Sequence, residues 1–259
     1  MRALRNLFAF AIIIVVLVGG ALAAFRVARG RPSNPEEVKP SLVAVSSAGA
    51  YLYAARVGQH VILFDTGADP AGSPVDAALA GLHASRSDVS DVFLTHGHGD
   101  HVAAAGGLGK AQVHLGAGDV PFVEGRAPWD SLLLRAMAKG MAIPSINVSS
   151  PLNGVQTIDL GENKTVKAIP VPGHTPGSYV FLYDGVLFTG DTAVFKQGRL
   201  ERGPGLFDSN GDQVRASVNA LKQQLAGVEI AAVCTGHGGC TPLGLGRTQL
   251  DDFIGRVGG

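Results

Sequence analysis

Residues 6–25 carry no charge, and Leu7–Val18 is built almost wholly from Leu, Ile, Val, Phe and Ala. Twenty helical residues rise about 30 Å, the thickness of a hydrocarbon core. The run therefore predicts a bilayer helix, because lipid satisfies no free backbone groups. It reads as an uncleaved single-pass anchor, as an export signal with Ala21-Leu22-Ala23 as the cleavage motif, or as a buried core helix. Arg2 and Arg5 precede the run and Arg26, Arg29 and Arg31 follow it, so charge leaves the orientation open. Three prolines between Arg31 and Pro40 mark residues 32–41 as a linker, and 42–259 as the folded body.

Within the body the apolar period changes repeatedly. Tyr51–Val57 and His60–Phe64 are short apolar runs split by Gly58-Gln59, which predicts a hairpin. Tyr179–Tyr183 and Val186–Thr189 repeat the pattern around Asp184-Gly185. Val92–Leu94, Ala111–Leu115, Thr165–Val171 and Ile230–Thr235 read as further strands. Helical spacing appears over Pro74–Ala84, Trp129–Met141, Gln213–Leu225 and Leu250–Val257. Strands and helices mixed in both halves predict layers of helix on sheet, an α/β body. In Trp129–Met141 the apolar positions Trp129, Leu132, Leu133, Ala136 and Met137 predict core packing. A substrate lid or a bilayer-facing patch is the competing reading.

Composition changes this picture in one respect. The 259 residues hold 21 basic and 21 acidic groups, a formal balance of zero. Five arginines and no acid lie in residues 1–31, so the remainder carries 16 basic against 21 acidic groups, a net −5. The chain is a basic, apolar head on a mildly acidic body, with no basic stripe of the kind nucleic acid needs.

The candidate chemistry sits at strand ends. Thr95-His96-Gly97-His98-Gly99-Asp100-His101 places four metal-ligand side chains within six residues, after an apolar strand. His96 and His98 are two apart, so an extended backbone points both imidazoles to one side. Asp100 suits the start of a helix, where free N–H groups favour an anion. His174 follows a strand in Val171-Pro172-Gly173-His174, Asp191 in Phe188-Thr189-Gly190-Asp191, and His237 in Cys234-Thr235-Gly236-His237. If those strand ends share one edge, five histidines and two aspartates surround a pair of metals. His60, His83 and His114 lack such contexts and read as ordinary histidines. Cys234 and Cys240 bracket His237 and would form a disulfide in an oxidising compartment, or free thiols in a reducing one.

This constellation resembles the metallo-β-lactamase superfamily, over roughly residues 42–257, through the HxHxDH run and the spaced His, Asp and His. The resemblance implies a four-layer αββα sandwich with its metal site at one sheet edge. It implies that His96, His98 and His174 hold one metal, that Asp100, His101 and His237 hold a second, and that Asp191 bridges them. Asp65, in Leu63-Phe64-Asp65-Thr66-Gly67, matches the family's early aspartate, which orients the histidine loop. Two divalent ions, zinc first and iron or manganese also compatible, would share a hydroxide, with Asp100 aiming it at the substrate.

Departures from the family's branches narrow the activity. β-Lactamases generally place Cys or Ser where this chain has Asp191, and flavodiiron-type oxidoreductases carry Glu where it has His98. Nuclease members carry an extra nucleic-acid module. Glyoxalase II enzymes add a C-terminal helical segment, whereas 22 residues follow His237. The implied function is hydrolysis of a small ester, lactone or thioester. The alternatives are a phosphodiesterase with the same site, a mononuclear-iron persulfide dioxygenase-like enzyme and, last, a non-enzymatic metal-binding protein.

Overall fold

The computed structural model describes residues 19–21, 23–129, 131–141 and 143–258. Two sheets face each other. The first holds seven strands in chain order: β1 (Glu36–Lys39), β2 (Leu42–Ser47), β3 (Ala50–Val57), β4 (His60–Phe64), β5 (Val89–Phe93), β6 (Gln112–Gly116) and β7 (Ser150–Leu152). The strands from β1 to β4 pair antiparallel, and those from β4 to β7 pair parallel. The second sheet runs β14-β11-β10-β9-β8, from β8 (Gln156–Asp159), β9 (Thr165–Pro170), β10 (Tyr179–Tyr183), β11 (Val186–Phe188) and β14 (Ala232–Cys234). A separate hairpin, β12 (Val194–Lys196) and β13 (Arg199–Glu201), stands beside it.

Side-chain alternation explains the layering. In β4, Val61 and Leu63 join one apolar cluster while Ile62 and Phe64 join another. In β10, Tyr179, Phe181 and Tyr183 meet that second cluster, while Val180 and Leu182 meet a third. The shared cluster lies between the sheets, and Phe64 stacks on Phe188 with ring centroids 3.8 Å apart. Helix α1 (Ser73–Gly81) covers the first sheet through Val75, Ala78 and Leu79. Helices α5 (Gly211–Gln224) and α6 (Gly246–Val257) cover the second through Val218, Leu221, Leu250 and Phe253. The outcome is the αββα order. The short helices α2 (Gly99–Val102) and α3 (Val120–Val123), with α4 (Leu132–Met141), lie at the loop end.

Both hairpins turn where the sequence predicts. Asp184 and Gly185 have φ of 49° and 76°, as a two-residue turn requires. Three expectations change. Residues 36–39 of the supposed linker form edge strand β1, with Glu36 opposite Ala44, because main-chain pairing accepts charged side chains at a solvated edge. α4 begins at Leu132, and Leu132, Leu133 and Met137 are exposed while Trp129, Leu134 and Met141 are buried. The inward face is therefore Leu134, Ala138 and Met141, offset from the expected core face. Finally, α6 begins at Gly246, four residues before the apolar period, packing tightly enough that a Cβ there would meet the backbone of Ala232 at 2.6 Å.

Leu7–Val18 lies outside the described residues. Among the described residues no helix is long and apolar enough to cross a membrane. Residues 23–29 are helical, and Arg29 Nη1 donates to the Met141 carbonyl at 2.8 Å, joining this segment to the end of α4.

Candidate metal centre

Four loops leave the same edge of the two sheets. The loop after β5 carries His96 to His101, and that after β9 carries His174. The loop after β11 carries Asp191, and that after β14 carries His237. The structure brings all seven predicted side chains together. Three overlapping triads have donor atoms within 4.8 Å: His96, His98 and His174; His96, His101 and Asp191; Asp100, His101 and His237.

Four of the five imidazoles are oriented by a hydrogen bond on the other nitrogen, as ligating histidines usually are. His101 Nδ1 donates to Asp65 Oδ2 at 2.8 Å, His174 Nδ1 to Asp208 Oδ1 at 2.9 Å, and His237 Nδ1 to the Gly49 carbonyl at 2.8 Å. Thr95 Oγ1 donates to Asp65 Oδ2 at 2.9 Å and accepts from His96 Nδ1 at 3.1 Å. These partners turn Nε2 of His96, His101, His174 and His237 inward. His174 Nε2 faces His98 Nδ1 at 3.1 Å. Asp191 stands between the groups, with Oδ1 3.3 Å from His101 Nε2, and Oδ2 3.6 Å from His174 Nε2 and 3.4 Å from His237 Nε2. Asp100 Oδ2 lies 3.4 Å from His237 Nε2.

Asp65 sits at φ 60°, a left-handed conformation that costs a non-glycine residue about 1–3 kcal/mol. Its amide donates to Phe93 O at 3.0 Å, and its carboxylate accepts from the Thr95 amide at 2.8 Å. One carboxylate thus holds both the start of the histidine loop and the His101 ring.

The electrostatics favour a cation. Burial drives His96 well below the usual imidazole range and His98 down to about 3, so both keep free lone pairs. Burial opposes charge on His101, but Asp191, Asp100 and Asp65 outweigh it and raise that ring well above its ordinary value. Burial likewise opposes charge on His237, yet Asp100 and Asp191 push it up to about 10. Burial would raise Asp191, but His101 and His237 hold it well below the carboxylate range. Protonated histidines thus supply the positive charge the carboxylates demand.

The donor set fits a divalent metal. Nε2 of His96 and His101 and Oδ1 of Asp191 are buried with no hydrogen-bond partner, a costly state for a polar atom. Nitrogen and carboxylate oxygen in this mixture suit zinc, and also iron or manganese. Gly236 makes the close approach possible, since a Cβ there would collide with Asp191 and lie 2.6 Å from His101 Cε1.

Several contributing residues escape a reading of the sequence. Asp119, in the loop after β6, accepts from the Gly97 amide at 2.7 Å, from Thr175 Oγ1 at 2.6 Å and from the Gly177 amide at 2.7 Å. It joins the His96–His98 loop to the His174 loop. Burial pushes its carboxyl up, against these three hydrogen bonds. An acid closing the glycine-rich run Gly116-Ala117-Gly118-Asp119 was the available signal. Asp208, which holds His174, lies in a stretch with no distinguishing motif. Outside the site His114 behaves as an ordinary buried histidine, bonded to Asp91 at 2.8 Å and stacked on Phe93. His60 and His83 are exposed. Cys234 and Cys240 form a disulfide that closes the loop carrying His237.

A cleft with two arms lies over the centre, the arms meeting at Asp191, Phe207 and His237. One arm, of about 180 Å³, runs against Trp129 and α4. The other, of about 460 Å³, runs against the β12–β13 hairpin and residues 202–204.

Fold and site together define a four-layer αββα protein with a clustered His/Asp centre at its loop edge. Residues 48–237 match the family model of the metallo-beta-lactamase superfamily, and the chain belongs to that superfamily. It is 28% identical over 190 residues to the hydroxyacylglutathione hydrolase of Halorhodospira halophila, covering 72% of this chain and 60% of that protein. It is 29% identical over 150 residues to an atrochrysone carboxyl ACP thioesterase of Aspergillus fumigatus, covering 56% of this chain and 30% of the relative. The chain thus spans less than two thirds of either relative. Among solved structures, the subclass B3 metallo-beta-lactamase BJP-1 of Bradyrhizobium japonicum superposes with a TM-score of 0.63 at 24% identity, covering 81% of this chain and 80% of that one. At that identity the likeness concerns the fold.

Proposed function

We propose that the chain is a dinuclear metallohydrolase that cleaves a small carboxylic ester, lactone or thioester. The observation that carries the reading is the position of Asp191, within 3.6 Å of His174 on one side and 3.4 Å of His101 and His237 on the other. In this reading His96, His98 and His174 hold one ion, Asp100, His101 and His237 the other, and Asp191 serves both. Zinc is the first choice for such a donor set. The names of the curated relatives, a hydroxyacylglutathione hydrolase and an atrochrysone carboxyl ACP thioesterase, support acyl transfer to water.

Bound divalent ions would supply Lewis acidity and lower the pKa of a coordinated water to about 7. The protein does the rest. Asp100 accepts a hydrogen bond from the attacking water and aims it at the carbonyl carbon. Asp65, Asp208 and Gly49 hold three imidazoles in one tautomer. In the overall balance water adds to the carbonyl carbon and the C–S or C–O bond breaks. The thiol or alcohol leaves with one proton, and the acid ionises to a carboxylate. No protein nucleophile is needed.

We extend the proposal to location. The Cys234–Cys240 disulfide and the apolar run Leu7–Val18 support a body held or released outside the reducing cytosol.

Metal analysis of the full chain together with a panel of lactones, thioesters, carboxylic esters and p-nitrophenyl phosphodiesters tests the reading. About two metals per chain and turnover of an acyl substrate are expected. Turnover of the phosphodiester alone, or one iron per chain, would replace it.

A further inference from the structure

We propose that the cleft selects amphiphilic acyl substrates: the apolar acyl chain lies in the arm between Trp129 and α4, and an anionic group on the leaving side lies against Lys196. This rests on the acyl-hydrolase reading above and names the substrate class of that same site.

The two arms differ in chemistry. Beyond the proposed ligands, the smaller arm has walls of Trp129, Leu134, Met137, Ala138 and Met141, with no charged side chain among them. Carbon chains enter such a space with their hydration lost and nothing polar left unpaired. The arm reaches His98 and Asp100, so a chain there brings its carbonyl to the water that Asp100 aims.

The larger arm is charged, and its charges are unequally paired. Glu201 is bound to Arg199 at 2.7 Å and Arg202 to Asp208 at 2.6 Å. Lys196 makes no ion pair among the described residues, and it is the lining cation left uncompensated. This free ammonium on the wall is the complement of anionic oxygen, a carboxylate or a phosphate. An acyl chain with such a group on its own end would have to place charge against Leu134 and Met141. The anion therefore belongs to the leaving group, across the Asp191–His237 junction from the chain.

The test uses the zinc-loaded full chain and matched thioesters, acetyl to dodecanoyl, of 3-mercaptopropionate (anionic) and of N-acetylcysteamine (neutral). With the neutral thiol, kcat/KM should climb about fourfold per methylene until the arm is full. At equal chain length the anionic series should lead by about tenfold, through KM, and lose that lead in high salt. Lys196→Gln should bring the anionic-to-neutral ratio close to one. Met137→Trp, on the half-exposed edge of the smaller arm, should move the optimum to shorter chains without disturbing buried Leu134. Turnover of every thioester with no dependence on chain length or charge overturns the proposal while leaving the hydrolase reading intact. A ratio unmoved by Lys196→Gln also overturns it. Failure to turn over any of these thioesters and any ester or lactone of the panel above, with metals bound, overturns the hydrolase reading itself.

Discussion

The Asp119 carboxylate accepts a hydrogen bond from the Gly97 amide at 2.7 Å, and through it the first histidine loop is fastened to the second. Thr175 and Gly177, flanking the His174 turn, donate to the same group. Asparagine has the same shape but sets an NH2 where one oxygen stood, so donor would face donor in a buried site. Asp119→Asn is expected to cost about 3 kcal/mol of unfolding free energy. It should also reduce occupancy by metal at His96, His98 and His174. Urea unfolding and metal analysis read both, and a variant with normal stability and full metal content would show that the loops hold their spacing unaided.

Asp65 acts on a different ring. Its Oδ2 accepts from His101 Nδ1 at 2.8 Å, fixing which nitrogen is left to point at Asp191. Asp65→Ala should weaken metal affinity by about 10- to 100-fold, the usual effect of removing the partner of a ligating histidine. Competition with a chromogenic chelator measures this, and an unchanged affinity would leave Asp65 a purely structural residue.

How much of this was legible beforehand follows from what each residue does. The seven clustered side chains were visible because ligands cluster by type and follow glycines at strand ends. The hairpins were visible because Asp-Gly and Gly-Gln interrupt apolar runs. Asp119 and Asp208 were not, because each is a single carboxylate whose contacts with the histidine loops span 22 to 58 and 34 residues. No local period marks such a contact. β1 was hidden for a related reason, since main-chain pairing leaves no pattern in Glu36-Glu37-Val38-Lys39. The inward face of α4 is not legible in the sequence, because Leu132 and Leu133 carry the apolar signal but lie exposed.

The disulfide should matter for one ligand more than the rest. Cys234 and Cys240 close a loop of seven residues with His237 near its middle. Chain-entropy arguments put the stabilisation from such a small ring at about 2 kcal/mol. Replacing both cysteines by serine should lower stability by that order and, on the dinuclear reading proposed above, loosen the ion assigned to Asp100, His101 and His237 before the other. Staged release of the two metals to a chelator tests the order. Equal acceleration of both would show that the ring does not restrain His237 selectively.

Acid stability has a separate source at the far end of the sandwich. Lys39 and Lys164 both bind Asp184, at 2.5 and 3.0 Å, and hold its carboxyl below the usual carboxylate range. A depressed carboxyl stabilises the fold above its unfolded pKa, and that contribution is lost as pH falls through the folded value. The groups are substantially exposed, so the contribution is about 0.2–1 kcal/mol. Asp184→Asn should therefore lower Tm slightly at pH 6 and converge with the parent protein as pH falls below the ordinary carboxylate value of 3.8 and through the lowered folded value. A constant gap down to pH 2 would assign the loss to packing instead.

Metal removal should expose the charge balance of the centre itself. Without an ion, Asp100 and Asp191 are neutralised by His101 and by His237, whose pKa is pushed up to about 10. A histidine raised in the fold stabilises it fully below its unfolded value near 6.5, and that stabilisation is lost as pH rises through about 10. The metal-free protein should lose Tm between pH 7 and 10, whereas the loaded protein, with Nε2 engaged by the ion, should not. Loading at pH 7 must displace those protons, so calorimetry in buffers of different ionisation enthalpy should record proton release. An ion present at a thousand times its Kd contributes about 4 kcal/mol, so chelation should lower Tm by a margin no single surface substitution reaches. Metal uptake with no proton release would mean that His101 and His237 are neutral before the ion arrives, and that the carboxylates find their compensation elsewhere.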